Sequence, residues 1–175
     1  MAKRFVFFGL LMLVALFVFL QSRSSTYRVE RRISITAPQQ AVFDKLDDVH
    51  EWPRWSPWDA LDPNPKRTFT GPEKGVGATY AWDGNEQVGR GYLRVESDHA
   101  PSRVTYAVRF ESPLDAEMLY EFTIVPTEKG TTVVWIFQGE HPFWAKIFML
   151  FRDLDRGVGQ DMQRGLTTLK QQLEG

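Results

Sequence analysis

Six segments with strand-like patterning follow one another through the middle of this 175-residue chain: Arg67–Thr70, Ala78–Asp83, Gln87–Ser97, Arg103–Glu111, Ala116–Val125 and Thr131–Glu140. Alternation of apolar and polar residues at period two marks half-buried strands. Turn-forming residues separate the segments: Gly71-Pro72, Gly75, Gly77, Asp83-Gly84-Asn85, Pro101, Pro113 and Lys129-Gly130. A parallel pair needs a crossover of a dozen residues or more, so strands joined by such short turns must pair antiparallel. A seventh strand is predicted at Tyr27–Thr36, where Tyr27, Val29, Arg31, Ile33 and Ile35 share one face and Arg31 breaks its apolar character.

The alternation also assigns an inner face. It carries Tyr80 and Trp82, then Val104, Tyr106, Val108 and Phe110, then Met118, Tyr120, Phe122 and Ile124, then Val133, Trp135 and Phe137. The opposite face carries Arg103, Thr105, Arg109, Glu117, Glu121, Thr132 and Gln138. One face of an antiparallel sheet commonly packs on a core while the other meets water.

Helical patterns flank this sheet. Pro38 suits the first turn of a helix with Val42, Phe43, Leu46 and Val49 on its apolar side. The stretch His50–Trp58 is broken by Pro53 and Pro57 and reads as a short helical turn and loop, followed by loop from Asp59 to Pro65. From Phe143 onward, Ile147, Phe151, Leu154, Val158, Met162, Leu166, Leu169 and Leu173 form one helical stripe. Its start, Phe143 to Phe151, is apolar almost all round. Gly157, Gly159 and Gly165 lie inside it, each less favourable than Ala by ~1 kcal/mol. That loss calls for close approach of a backbone or a ligand, or else marks a kink. The expected class is α+β, with a curved seven-stranded antiparallel sheet closed by the long C-terminal helix around an enclosed space.

The N-terminal stretch Phe5–Leu20 contains no charged or strongly polar residue. As a helix it would span roughly 24 Å at ~1.5 Å per residue, close to the ~30 Å of a bilayer core. Residues 1–26 are therefore expected to form a membrane anchor and short linker, and residues 27–175 a folded domain. A cleaved signal is the alternative, but no small-x-small site follows Leu20. Positive residues flank both ends: Lys3 and Arg4 before, and Arg23, Arg28, Arg31 and Arg32 after. The short N-terminal tail favours a domain outside the cytoplasm. All 22 acidic residues lie after residue 26, against 18 of the 21 Lys and Arg, so the domain is mildly acidic and a poor match for nucleic acid. No cysteine is present, which excludes disulfides and thiolate metal sites.

A set of short motifs in this order resembles the START-like (SRPBCC) superfamily of polyketide cyclase/dehydrase and lipid transport proteins, in its membrane-anchored bacterial type. They are Tyr27-Arg28-Val29-Glu30-Arg31, Ala37-Pro38 before Val42-Phe43, Trp52, Trp55-Ser56-Pro57-Trp58, and Gly75-Val76-Gly77-Ala78 before Tyr80-Ala81-Trp82. Gly89-Arg90-Gly91, Gly130-Thr131-Thr132-Val133 leading to Trp135, and Gly165-Leu166 before Leu169-Lys170 complete the series. Asp161-Met162-Gln163 departs from the pattern, which expects a more acidic and aromatic stretch. The resemblance implies a helix-grip fold with an apolar cavity between sheet and last helix, and binding or transport of a hydrophobic small molecule or lipid. A minority of relatives catalyse cyclisation or dehydration, and some bind a partner protein. No catalytic residue carries over.

The residues themselves exclude several chemistries. His50, His99 and His141 are isolated, without metal-ligand spacing. Gly71–Gly77 lacks the Gly-Lys-Ser/Thr ending of a phosphate loop. Gly89 and Gly91 are read as a bulge or a close approach within a strand. Asp83, Arg90, Arg109, Glu111 and Glu140 are kept as acid/base candidates should any prove buried. No metal or cofactor is expected. The cavity-lining candidates are Trp55, Tyr80, Trp82, Tyr106, Phe110, Met118, Tyr120, Trp135, Phe137 and Phe151. Trp52, Trp55 and Trp58 form a separate group that would pack as core, gate the cavity or touch a bilayer interface.

Overall fold

The computed structural model describes residues 2–22, 24–62, 64–113, 115–140 and 154–175, with the side chains of residues 2–4, 6, 13 and 16 outside that description. The chain divides into two compact units, residues 1–27 with 140–153, and residues 28–139 with 154–175. In the first, helix α1 spans Ala2–Ser22. Its large apolar side chains are exposed, among them Phe5 at 76%, Met12 at 75% and Phe17 at 52%. Among the described residues no helix is long and apolar enough to cross a membrane. The expected transmembrane span is thus not shown; what is shown is a 21-residue helix with an exposed apolar surface.

The larger unit runs β1 (Thr26–Ile35, its first two residues in the other unit), α2 (Gln39–Asp47), α3 (Trp52–Trp55), a 3-10 turn at Asp59–Leu61, and then β2 (Lys66–Thr70) and β3 (Thr79–Asp83). It continues with β4 (Arg90–His99), β5 (Arg103–Ser112), β6 (Ala116–Thr127), β7 (Gly130–Glu140) and α4 (Leu154–Glu174). The seven strands form one sheet in the order β1-β7-β6-β5-β4-β3-β2. From β2 to β7 each strand pairs antiparallel with the next, as the short turns require.

Register follows the apolar pattern. Tyr106 faces Tyr120 across β5–β6, Tyr120 faces Phe137 across β6–β7, and Phe122 faces Trp135. Burial alternates along β5 and β7, with Val104, Tyr106, Val108, Val133, Trp135 and Phe137 all buried. A one-residue slip would turn every one of these to water, so the core itself fixes the register. Gly91 lies at a register shift between β4 and β5. A Cβ there would come within 2.2 Å of the Arg109 carbonyl oxygen and 2.8 Å of the Trp82 ring, so glycine admits the close approach of both.

Helix α4 buries Met162, Leu166 and Leu169 on one stripe. Near its C-terminal end it is tied to the end of β1 and to α3 by Thr36 N–H to Glu174 Oε1 at 2.6 Å, Lys170 Nζ to Ser34 O at 2.6 Å, and Gln172 Nε2 to Arg54 O at 2.7 Å. The predicted helix beginning at Phe143 is described only from Leu154; Phe143 to Phe151 lies outside the described residues. Two of the three glycines, Gly159 and Gly165, are explained by side chains that lie where their Cβ would sit. Arg31, the exception on β1, lays its guanidinium where a Cβ of Gly159 would sit and donates to Asp155 Oδ1 at 2.9 Å, Oδ2 at 3.1 Å and O at 2.8 Å. At Gly165 a Cβ would meet Pro57 Cδ at 2.9 Å and Trp135 Cζ3 at 3.3 Å. Gly157 has nothing within 4 Å. Gly165→Val should therefore lower unfolding stability by ~1–3 kcal/mol through overpacking. Gly157→Ala should raise it by up to ~1 kcal/mol through helix propensity alone. Denaturant unfolding of the two variants checks both signs.

Asp47 ends α2 almost fully buried, with Oδ1 lacking a hydrogen-bond partner among the described residues. Burial, reinforced by Asp98, pushes its carboxyl above the usual carboxylate range. The folded state then holds a proton that the unfolded chain has already lost. The associated stability is complete below the unfolded value of ~3.9 and disappears as pH rises through the folded value. Asp47→Asn should raise the melting temperature at pH 7 and converge with the parent near pH 3. Melting curves at the two pH values test this; an equal offset at both would contradict it.

Candidate functional site

The site is built from the chain between α2 and β2. Pro53 falls in the first turn of α3 and Pro57 follows it, so the segment makes a single helical turn and cannot continue. That geometry drops Trp52 and Trp55 onto the inner face of the sheet, 3% and 1% exposed. Trp52 stacks on Tyr120 at 5.8 Å and meets Tyr106 and Trp135 edge-on at 5.5 and 6.0 Å. Trp55 meets Trp135 and Phe122 edge-on at 5.7 and 5.9 Å. Each such pair contributes ~0.5–1.5 kcal/mol beyond the area it buries. Trp58 is only half-buried and also stacks on Tyr120, at 5.9 Å.

Beyond Trp58 the 3-10 turn and the loop to β2 cross over β3. A cavity of about 70 Å³ remains under this crossing. Its walls are the rings of Trp52, Trp58, Tyr80, Trp82, Phe110 and Tyr120, with Leu93, Val108 and Val88 between them. Ser56, Asp59, Asp62 and Gln87 supply the polar lining. The space is small against the ~300–1,000 Å³ of drug-sized sites.

Two carboxylates define its polar side. Asp59, with its side chain 8% exposed, accepts from Tyr80 Oη at 2.7 Å and from Arg67 Nε at 3.3 Å. Burial, then the bond to Asp59, raises the Tyr80 phenol far above its ordinary value, so it remains a protonated donor at neutral pH. Asp62, also 8% exposed, accepts from the backbone N–H of Asn64 at 3.0 Å and of Asn85 at 2.7 Å. It thereby fastens the β3–β4 turn to the crossing loop. Trp82 donates its indole N–H to Val88 O at 3.1 Å, which fixes the ring in the wall.

Of the residues proposed as lining from the sequence, Tyr80, Trp82, Phe110 and Tyr120 border this cavity. Trp55, Tyr106 and Trp135 are buried in the aromatic core away from it; Tyr106 donates its hydroxyl to Leu46 O. Phe137 packs on Tyr120 at 5.4 Å, and Met118 lies half-buried on β6; neither borders the cavity. Phe151 lies outside the described residues. Among the described residues this cavity sits between the sheet and the Trp52–Pro65 segment, while Pro57 and Trp135 pack against the described part of α4 at Gly165. Asp59 and Asp62 were missed, since a loop Asp carries no signal of inward direction. The acid/base candidates from the strands lie elsewhere. Arg90 pairs with Glu111 at 3.0 Å, and Arg109 with Asp115 and Glu117 at 3.0 and 2.6 Å, on the exposed face. Asp83 and Glu140 are exposed. His50 stacks on Phe69 at 4.3 Å, and among the described residues no three carboxylates or imidazoles gather to hold a metal.

Residues 26–174 match the family described as polyketide cyclase / dehydrase and lipid transport. None of the curated proteins matches this sequence. Among solved structures, the Aha1 dimer from Colwellia psychrerythraea is similar at 18% identity and a TM-score of 0.59, over 85% of this chain and 96% of that one. Protein CV1439 from Chromobacterium violaceum is similar at 18% identity and a TM-score of 0.59, over 86% and 98%. DynU16, a protein in the dynemicin biosynthetic locus, is similar at 16% identity and a TM-score of 0.53, over 84% of this chain and 48% of that one. At these identities the structures share the fold. With the family match covering all seven strands and α4, the chain belongs to the polyketide cyclase / dehydrase and lipid transport family of the SRPBCC superfamily.

Proposed function

We propose that this protein binds a hydrophobic small molecule or lipid, one end of which occupies the cavity under the Trp52–Pro65 segment, while α1 tethers the domain to a membrane on its extracytoplasmic side. The observation that carries the binding reading is the ring-walled cavity itself, apolar except on one side. Its small volume admits a compact group, and the remainder of the ligand lies at or beyond the mouth. Trp58 is half-buried, one face resting on the buried rings of Tyr120 and Trp135 at 5.9 and 5.7 Å, and it is the wall residue we assign to move for a larger guest.

The tether rests on separate grounds. Helix α1 carries the uncharged run Phe5–Leu20, whose apolar side chains would insert into a bilayer. Its exposed Phe, Leu, Met and Val side chains would otherwise meet water. A tethered binding domain suits exchange or transport of a ligand with the bilayer.

A cyclase/dehydratase acting in the same cavity is the second reading. It gains support from one observation: ionisable groups do border the cavity, with the Tyr80 phenol 2.7 Å from the Asp59 carboxylate. Binding is preferred because the Tyr80 hydroxyl and the Asp59 carboxylate are engaged with each other, and Asp59 with Arg67.

Full-length protein purified in detergent should release an apolar molecule on solvent extraction, identified by mass spectrometry. Trp58→Leu should reduce the recovered amount severalfold without lowering the melting temperature by more than a few degrees. Extracts no richer than those of an unrelated membrane-tethered control, with no apolar compound able to bind on re-addition, would reject the binding reading.

A further inference from the structure

We infer that the cavity selects a compact organic cation, a quaternary ammonium or a protonated tertiary amine, as the buried head of its ligand. This rests on the reading of the cavity as a ligand site and names the chemistry that site would recognise. Three features converge on it. First, the walls present six aromatic rings, Trp52, Trp58, Tyr80, Trp82, Phe110 and Tyr120. Ring faces are electron-rich and attract a cation placed against them, most strongly when water is excluded. Second, the charged side chains in the lining among the described residues, Asp59 and Asp62, are carboxylates, and among the described residues no Lys, Arg or His borders the space. Arg67 offsets Asp59 from outside at 3.3 Å, whereas Asp62 is held by backbone N–H groups that carry no charge. The site is therefore left with a net negative charge in a low-exposure setting, where an anionic head would be repelled and a neutral one would leave that charge uncompensated. Third, the volume of about 70 Å³ suits a compact group better than an acyl chain.

The alternative role for the carboxylates is purely structural, since Asp62 fastens two loops and Asp59 orders Tyr80. Three probes of one branched shape separate the readings: choline, 3,3-dimethylbutan-1-ol and 3,3-dimethylbutanoate, with charges of +1, 0 and −1. Each is titrated into the full-length chain in maltoside micelles, followed by tryptophan fluorescence and by saturation-transfer NMR. Choline should saturate at least tenfold more tightly than the alcohol, and the carboxylate should not bind. Asp59→Asn should weaken choline at least threefold while leaving the alcohol unchanged. Trp58→Phe should retain choline binding and Trp58→Leu should lose most of it. Asp62→Asn is added if its melting curve stays near the parent's; if it does not fold, Asp59 and Trp58 carry the test.

An alcohol that binds as tightly as choline would overturn the cation inference and leave apolar binding standing. So would failure of all three probes in a protein that still yields an apolar molecule on extraction. Failure of all three with an empty extract would remove both readings. Choline selectivity that survives in Asp59→Asn and Asp62→Asn would overturn the role given to the carboxylates.

Discussion

The contact on which the rest of this domain depends is the seating of one proline-bounded helical turn, Trp52–Trp55, on the inner face of the sheet. Trp52 alone meets Trp55, Tyr106, Tyr120, Phe122 and Trp135 within 4.5–6.4 Å. Without these indoles, β5, β6 and β7 would present a buried row of rings to nothing but α2 and α4. With them, the sheet, the turn and α4 share one core, because Pro57 and Trp135 in turn press against α4 at Gly165. Tight packing of this kind leaves little room for error. It also closes the space at Gly165 of α4, while a cavity remains further along the sheet among the described residues.

The functional consequence follows from where that filling stops. Past Trp58 the chain turns polar, and the crossing loop is held up by Asp59 and Asp62 rather than by apolar side chains. A loop supported by carboxylate bridges stands off the sheet and leaves a void beneath it. The same two carboxylates that create the void then determine its electrostatics. Structure and selectivity at this site are therefore two outcomes of one arrangement.

Arg31 shows the same economy in the helix. An inward-facing arginine on β1 breaks the strand's apolar pattern, and a glycine in α4 weakens the helix. Each is the reason for the other: Gly159 makes room for the guanidinium, and Asp155 one turn earlier accepts its hydrogen bonds. Neither anomaly needs a ligand.

The sequence by itself determined the strand positions to within a few residues, the antiparallel meander and the identity of the inward rings. These follow from side-chain alternation and from connections too short for any other pairing, both local properties. It also determined the apolar N-terminal helix as a segment. Only the tertiary structure decided which inward rings border open space and which fill the core. Trp135 and Tyr80 read alike in sequence, both as inward rings of a strand, but one lies under α4 and the other under a loop. The inward direction of Asp59 and Asp62 was likewise settled by tertiary contacts, since their partners Tyr80 and Asn85 lie 21 and 23 residues away. Whether a ring lines a cavity depends on what covers it, and the cover comes from a distant part of the chain.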